Sequence, residues 1–251
     1  MKKLTKIMAM AMVSILAMAA LTGCGGGSGS IKFGTNAEFP PFEFIAANGV
    51  IGEYDGIDIA IAKKIGEDNN MDVSIENMEF DSLLVALQNG QVDAVIAGMT
   101  ITEERAESVD FSIPYYRATQ VIITKPESGI KSAADLSDKF VAVVQGYTGE
   151  TVIIDLGLNY ESFKKGTECI MELVNDKCDA VVIDSATAAK YVADNEGLII
   201  VEDESAFENE EYGIAVKKGN TELLNKINAS IQKMLDDQTI AELGDKYSVA
   251  E

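Results

Sequence analysis

The chain has 251 residues, with 20 basic and 41 acidic side chains and no histidine, for a formal charge of −21. This acidity argues against binding nucleic acid or an anionic lipid surface through bulk charge. The lack of histidine removes the usual general base and the commonest metal ligand.

Lys2, Lys3 and Lys6 precede an apolar segment over 7–21 that is too short for a comfortable membrane span. A basic start and an apolar middle match a secretory leader. Leu21-Thr22-Gly23-Cys24 follows and resembles a bacterial lipobox, whose cysteine is acylated and becomes the new N-terminus. The expectation is a lipoprotein signal peptide over 1–23, a lipid on Cys24 and a flexible Gly/Ser tether over 24–30. Such a protein is extracytoplasmic and lipid-anchored to the bacterial membrane. Without the three leader lysines the charge becomes −21 − 3 = −24.

The pattern predicts a strand over 31–35 and then a loop, NAEFPPFEF, where Pro40-Pro41 forbids regular structure. Its phenylalanines pack a core or wall a pocket. A short strand is expected over 50–54, and a helix over 56–69 with Ile57, Ile61 and Ile65 on one stripe. A strand follows over 72–77. Asp81 is placed as the cap of a helix that Gly90 ends.

Residues 92–97 read as a buried parallel strand. The strand stops at Gly98-Met99-Thr100, and Thr102 caps a helix that opens with Glu103, Glu104 and Arg105. Open α/β sheets bind ligands where a strand ends in a small-residue turn and opens a helix. Backbone N–H groups, a hydroxyl and a guanidinium suit a carboxylate there. The residue pattern alone leaves the alternative open that Arg105 is a solvated helix residue.

Farther on, 119–124 is β-rich and 140–144 is a strand. Gln145 to Glu150 forms a second turn, with Thr148 as cap of a helix over 149–156. A strand over 178–183 ends at Asp184 and leads into a helix to about 195. A strand over 198–201, a return strand over 212–216 and two amphipathic helices, over 221–236 and 238–247, close the chain. Cys169 is placed at a helix start and Cys178 at the next strand. About 1.5 Å of rise per residue holds them beyond disulfide reach, so two buried thiols are expected.

One unit occurs twice. LVALQNGQVDAVIAGMT aligns with IMELVNDKCDAVVIDSA at a constant offset of 86 residues, matching Leu87 with Leu173, Asp93 with Asp179 and Gly98 with Asp184. Two copies are too few for a solenoid. They fit two similar α/β lobes that face each other across a cleft, with Asp184 of one opposite the Arg105 turn of the other.

GTNAEFPPFEF, the Gly56-Ile57-Asp58 helix start, FDSLLVALQNGQVDAVIAGMTITEERAESVDFSIPYY, VVQGYTGE and DAVVIDSA together resemble the bacterial family 3 extracellular solute-binding proteins, the polar amino-acid receptors of ABC importers. The resemblance implies a two-lobed α/β periplasmic-binding-protein fold of type II, each lobe a mostly parallel sheet flanked by helices. Lobe 1 would span 31–120 and 214–251, lobe 2 would span 121–213, and two strands near 119–123 and 211–215 would form the hinge. It further implies that Arg105 grips a ligand α-carboxylate with backbone amides of Thr100 and Thr148. Asp184 would bind the α-ammonium with the Gly98 carbonyl and the Thr100 hydroxyl, and Phe39 and Phe80 would sandwich the side chain. Asn36, where the family commonly has Asp, and Gln145 would read the side chain's end, and Phe42 is placed in the core.

The expected partners are a polar L-amino acid, an ABC permease and ATPase complex, and the membrane through the lipid anchor. A monomer with no cofactor, no metal and no nucleic acid is expected. Two alternatives stand beside this reading: a dehydratase-like enzyme on the same scaffold, and an amino-acid-sensing ectodomain. The first would have to work without histidine, through Asp, Glu, Lys or Tyr.

Overall fold

Asp93 and Asp179 do the same job in two places. The Asp93 carboxylate accepts the Lys32 N–H at 2.8 Å, and the Asp93 N–H donates to the Lys32 carbonyl at 2.8 Å. The Asp179 carboxylate accepts the Phe140 N–H at 2.8 Å, and its own N–H donates to the Phe140 carbonyl at 2.8 Å. Each aspartate thereby docks the start of its strand onto the neighbouring one. The repeat read from the sequence is therefore a repeat of structure. The computed structural model describes residues 29–46 and 53–248. The leader, Cys24, most of the tether and most of the strand expected over 50–54 lie outside the described residues.

In chain order the strands of the first half are β1 (Gly29–Thr35), β2 (Glu38–Phe39), β3 (Glu43–Ile45), β4 (Tyr54–Asp55), β5 (Met71–Asn77), β6 (Ala94–Val95), β7 (Val109–Phe111) and β8 (Tyr116–Thr124). Those of the second half are β9 (Phe140–Val144), β10 (Asn159–Phe163), β11 (Ala180–Asp184), β12 (Ile199–Val201), β13 (Asn209–Tyr212) and β14 (Ala215–Lys217). The first sheet has the order β5-β1-β6-β14-β7, with β1 parallel to both β5 and β6 and with β14 antiparallel. The second has the order β10-β9-β11-β8-β12, with β9 parallel to β10 and β11. β2, β3 and β4 form a small antiparallel sheet beside the first.

Helices cover the sheets because their apolar stripes match the sheet faces. Helix α1 (Ile57–Asn69) buries Ile57, Ile61 and Ile65, the stripe expected at helical spacing. The next ones are α2 (Leu83–Gln88), α3 (Glu103–Ser108), α4 (Thr148–Asp155), α5 (Gly166–Val174) and α6 (Ser185–Asp194). Helices α7 (Thr221–Asp236) and α8 (Thr239–Tyr247) pack back on α1, which returns the chain's end to the first lobe. The central strands of the second sheet are buried on both faces, as β9 shows with Val141, Ala142, Val143 and Val144 all within 1 % exposure.

Two strands carry the chain between the sheets. β8 pairs with β13 from Tyr116↔Tyr212 to Thr119↔Asn209, and beyond that point it enters the second sheet against β11. The crossing therefore sits at 116–119 and 209–212, earlier in both strands than the expected 119–123 and 211–215. Val121–Ile123 are paired with β11 and Ala215 with β6, so the expected and observed stretches overlap only at Thr119 and at Glu211 and Tyr212. Asp81 is not a helix cap either. It lies in a 3₁₀ turn, Phe80–Ser82, and its carboxylate pairs with Lys164 at 2.7 Å. Helix α4 begins at Thr148 itself, one residue before the expected start. Cys169 and Cys178 are both buried and free, in line with the sequence reading.

Candidate functional site

The site begins where β6 stops. Gly98 has φ +51°, and a Cβ there would lie 2.4 Å from Cε1 of Phe39, so both backbone shape and space demand glycine. The Gly98 N–H donates to Asp58 Oδ2 at 2.7 Å, and the Tyr115 hydroxyl donates to the same oxygen at 2.8 Å. Burial pushes the Asp58 carboxyl up to about 6, against the lowering effect of these donors. Asp58 thus pins the turn from beneath.

Thr102 caps α3 by accepting the Arg105 N–H at 3.2 Å. The cap places Arg105 in the first helical turn, with its side chain reaching into the cleft. Nη1 donates to the Thr100 carbonyl at 2.7 Å, and Nη2 donates to the Gly146 carbonyl in the opposite lobe at 2.9 Å. The guanidinium carbon lies 5.3 Å from the Phe80 ring centre. Burial lowers the Arg105 pKa, while Glu210 and Asp184 oppose that shift.

Asp184 ends β11 and faces this arginine turn from the second lobe. It is 3 % exposed and accepts the Tyr212 hydroxyl at 2.7 Å. Burial first, and the Glu210 carboxylate second, push its pKa up to about 7. Tyr212 and Gln120 pull the other way.

A network missed in the sequence ties the lobes together behind these groups. Glu210, on the crossing strand β13, accepts the Thr100 hydroxyl at 2.6 Å and the Thr148 hydroxyl at 2.8 Å on one oxygen. Gln120 Nε2 donates to the other oxygen at 3.1 Å and to Thr148 at 3.0 Å. One carboxylate thereby holds a threonine from each lobe. The only sequence signal for it was position: both Gln120 and Glu210 lie on the strands that join the lobes.

Seven expected residues converge on one small space. Phe39, Phe80, Gly98, Thr100, Arg105, Thr148 and Asp184 line it, joined by Ala97 and Tyr147. The space measures about 10 Å³, room for roughly one water. It adjoins an open groove of about 1120 Å³ that runs past Gln120 and Glu210. Two expected residues are not in the lining. Asn36 lies behind it, donating to the Met78 carbonyl at 2.9 Å and accepting the Tyr147 hydroxyl at 3.1 Å. Gln145 is exposed. Phe42 is fully buried in the core, stacked on Phe39 at 5.5 Å.

The lobes are closed on each other. Lys165 pairs with Glu38 at 2.8 Å, and Lys164 pairs with Asp81 at 2.7 Å. The Tyr191 hydroxyl donates to the Glu38 carbonyl at 3.1 Å. Among the described residues no group of His, Cys, Asp and Glu could hold a metal ion, and no helix is long and apolar enough to cross a membrane. What remains is a cleft with a guanidinium on one wall, a buried carboxyl group on the other and aromatic faces beside them.

The model of the bacterial extracellular solute-binding proteins, family 3, matches residues 31–250. The chain belongs to that family. It is 32 % identical to the arginine-binding extracellular protein ArtP of Bacillus subtilis, over 92 % of this chain and 94 % of that protein. It is also 32 % identical to the glutamine-binding protein GlnH of the ABC transporters of the same organism, over 96 % and 97 %. Among solved structures it resembles the arginine-, lysine-, histidine-binding protein ArtJ of Geobacillus stearothermophilus, with a TM-score of 0.81 and 34 % identity over 87 % of this chain and 94 % of that one. An ancestral arginine-binding protein bound to glutamine aligns with a TM-score of 0.80 and 43 % identity, over 87 % and 97 %. The family 3 fold is the two-lobed α/β architecture described above.

Proposed function

We propose that this family 3 protein binds a polar L-amino acid in the cleft between its lobes and delivers it to an ABC importer. The observation that carries this reading is the opposition of Arg105 and Asp184 across one small space between the lobes. A zwitterion needs an anion and a cation at that separation of roles, and a dry cleft strengthens both interactions. In this reading Arg105 releases its two carbonyl partners and forks onto the α-carboxylate, with N–H groups of Thr100 and Thr148 beside it. Asp184, Gly98 O and the Thr100 hydroxyl receive the α-ammonium. The ammonium restores the charge of Asp184, whose burial alone favours the neutral acid.

Phe39 and Phe80 would flank the side chain. Asn36 would contribute from behind the lining, and Gln145 only if the lobes reorient, since its side chain is exposed here. The two lobes, 31–120 with 214–251 and 121–213, would part about the 116–119 and 209–212 crossing to admit ligand. Cys24 would carry a lipid that holds the protein, as a monomer, outside the cytoplasmic membrane beside its permease and ATPase. The role is binding, not catalysis: the relatives are named for the amino acids they bind. Calorimetric titration with the common L-amino acids tests the reading. Saturable one-to-one binding of a polar amino acid is expected; no heat with any of them would overturn it.

A further inference from the structure

Tyr147 stands in the turn after β9 of the second lobe, yet its ring is 6 % exposed and lies against the aromatics of the first lobe. It meets Phe80 edge-on at 4.6 Å between ring centres and Phe39 edge-on at 5.3 Å. Its hydroxyl donates to Asn36 Oδ1 at 3.1 Å. These are three of the four residues expected to hold a ligand's side chain, and Tyr147 engages each of the three from within the protein. The turn makes this possible. Gly146 has φ +81°, which swings the following side chain into the cleft while Gln145 points to solvent.

The polar end of the slot is saturated as well. The amide of Asn36 is engaged at both atoms. The nearby acids Glu38 and Asp81 are paired with Lys165 and Lys164. Glu43, behind the slot, is fully buried, and burial with Asp58 beside it drives its pKa well up. Of these three acids, two are paired with lysines and the third is buried away from solvent.

We infer that Tyr147 is a specificity-determining residue that competes with the ligand's side chain for the aromatic slot. It makes the cleft select uncharged polar amino acids no longer than glutamine over long cationic ones. This rests on the amino-acid reading above for its ligand, but not for its geometry. The ring also links the lobes, so its removal loosens the closed state without ligand.

The test compares wild type with Tyr147→Ser, Tyr147→Val and Tyr147→Phe, all checked for folding by circular dichroism. L-serine, L-glutamine and L-arginine are titrated calorimetrically into each. Wild type and Tyr147→Phe, which keeps the ring, are expected to prefer serine or glutamine. Tyr147→Ser and Tyr147→Val are expected to gain at least about tenfold in arginine affinity relative to glutamine, the scale of opening a pocket by a few carbon atoms. Tightest binding of arginine by wild type, or an unchanged ratio in both small variants, overturns the proposal. If wild type binds no amino acid, the amino-acid reading fails by itself, and small-angle scattering then decides on Tyr147. A larger radius of gyration for ligand-free Tyr147→Ser than for ligand-free wild type supports the cross-lobe plug; equal radii overturn it.

Discussion

Asp184→Asn separates what the site costs the fold from what it does for the ligand. The side chain keeps its shape, and Oδ1 of the asparagine still accepts the Tyr212 hydroxyl seen at 2.7 Å. Only the charge is lost. In the native protein burial and the neighbouring Glu210 hold the Asp184 carboxyl at about 7, against an ordinary value of 3.8. The shift is about three units, and each unit is worth ~1.4 kcal/mol, giving about 4 kcal/mol. The sign follows from proton counting. Between pH 4 and 7 the folded state holds a proton that the unfolded chain has released, so stability falls as pH rises through that window. The favourable contribution is complete below pH 4 and gone above pH 7. Asparagine never ionises and escapes this loss. Ligand-free Asp184→Asn should therefore match wild type near pH 4 and exceed it by up to about 4 kcal/mol at pH 8. Urea denaturation across that range measures it, and the background from Asp58, whose shift does not involve Asp184, cancels in the difference. The same variant should lose amino-acid binding by roughly 2 to 5 kcal/mol, because the ammonium then faces no anion. Coincident stability curves for the two proteins from pH 4 to 8 would refute the reasoning about Asp184.

Arg105→Ala should weaken binding by roughly 2 to 5 kcal/mol, and Arg105→Lys should weaken it too, since a point ammonium cannot replace the planar fork. Calorimetric affinities within about threefold of wild type would remove Arg105 from the site. Gly98→Ala should destabilise the protein by at least about 1 to 3 kcal/mol, because alanine resists φ +51° and its methyl meets Phe39; a denaturation midpoint equal to wild type would contradict this. Cys169 and Cys178 should both react with a thiol reagent after denaturation without reductant, as free buried thiols whose pKa burial raises. A mass short of both adducts would reveal a disulfide instead.

Much of this protein was legible in its sequence, for reasons that are local. The Asp93 and Asp179 register, the Thr102 cap and the Gly98 turn follow from strand and helix chemistry within a few residues. The placement of Arg105 and Asp184 at facing strand ends follows from the repeat of one such unit. Side-chain direction past a strand end does not, because the alternation that orients residues stops there. Gly146 redirects the chain, so Tyr147 enters the cleft and Gln145 leaves it, the reverse of what their polarity suggested. Asp81 had the chemistry of a cap, but a lysine from the other lobe claimed it. Glu210 joins Thr100 to Thr148 only because β13 crosses beside β8, a pairing between segments about ninety residues apart. Tertiary structure alone decides such contacts, since their partners are brought together by the closure of two lobes and by no local preference of the chain.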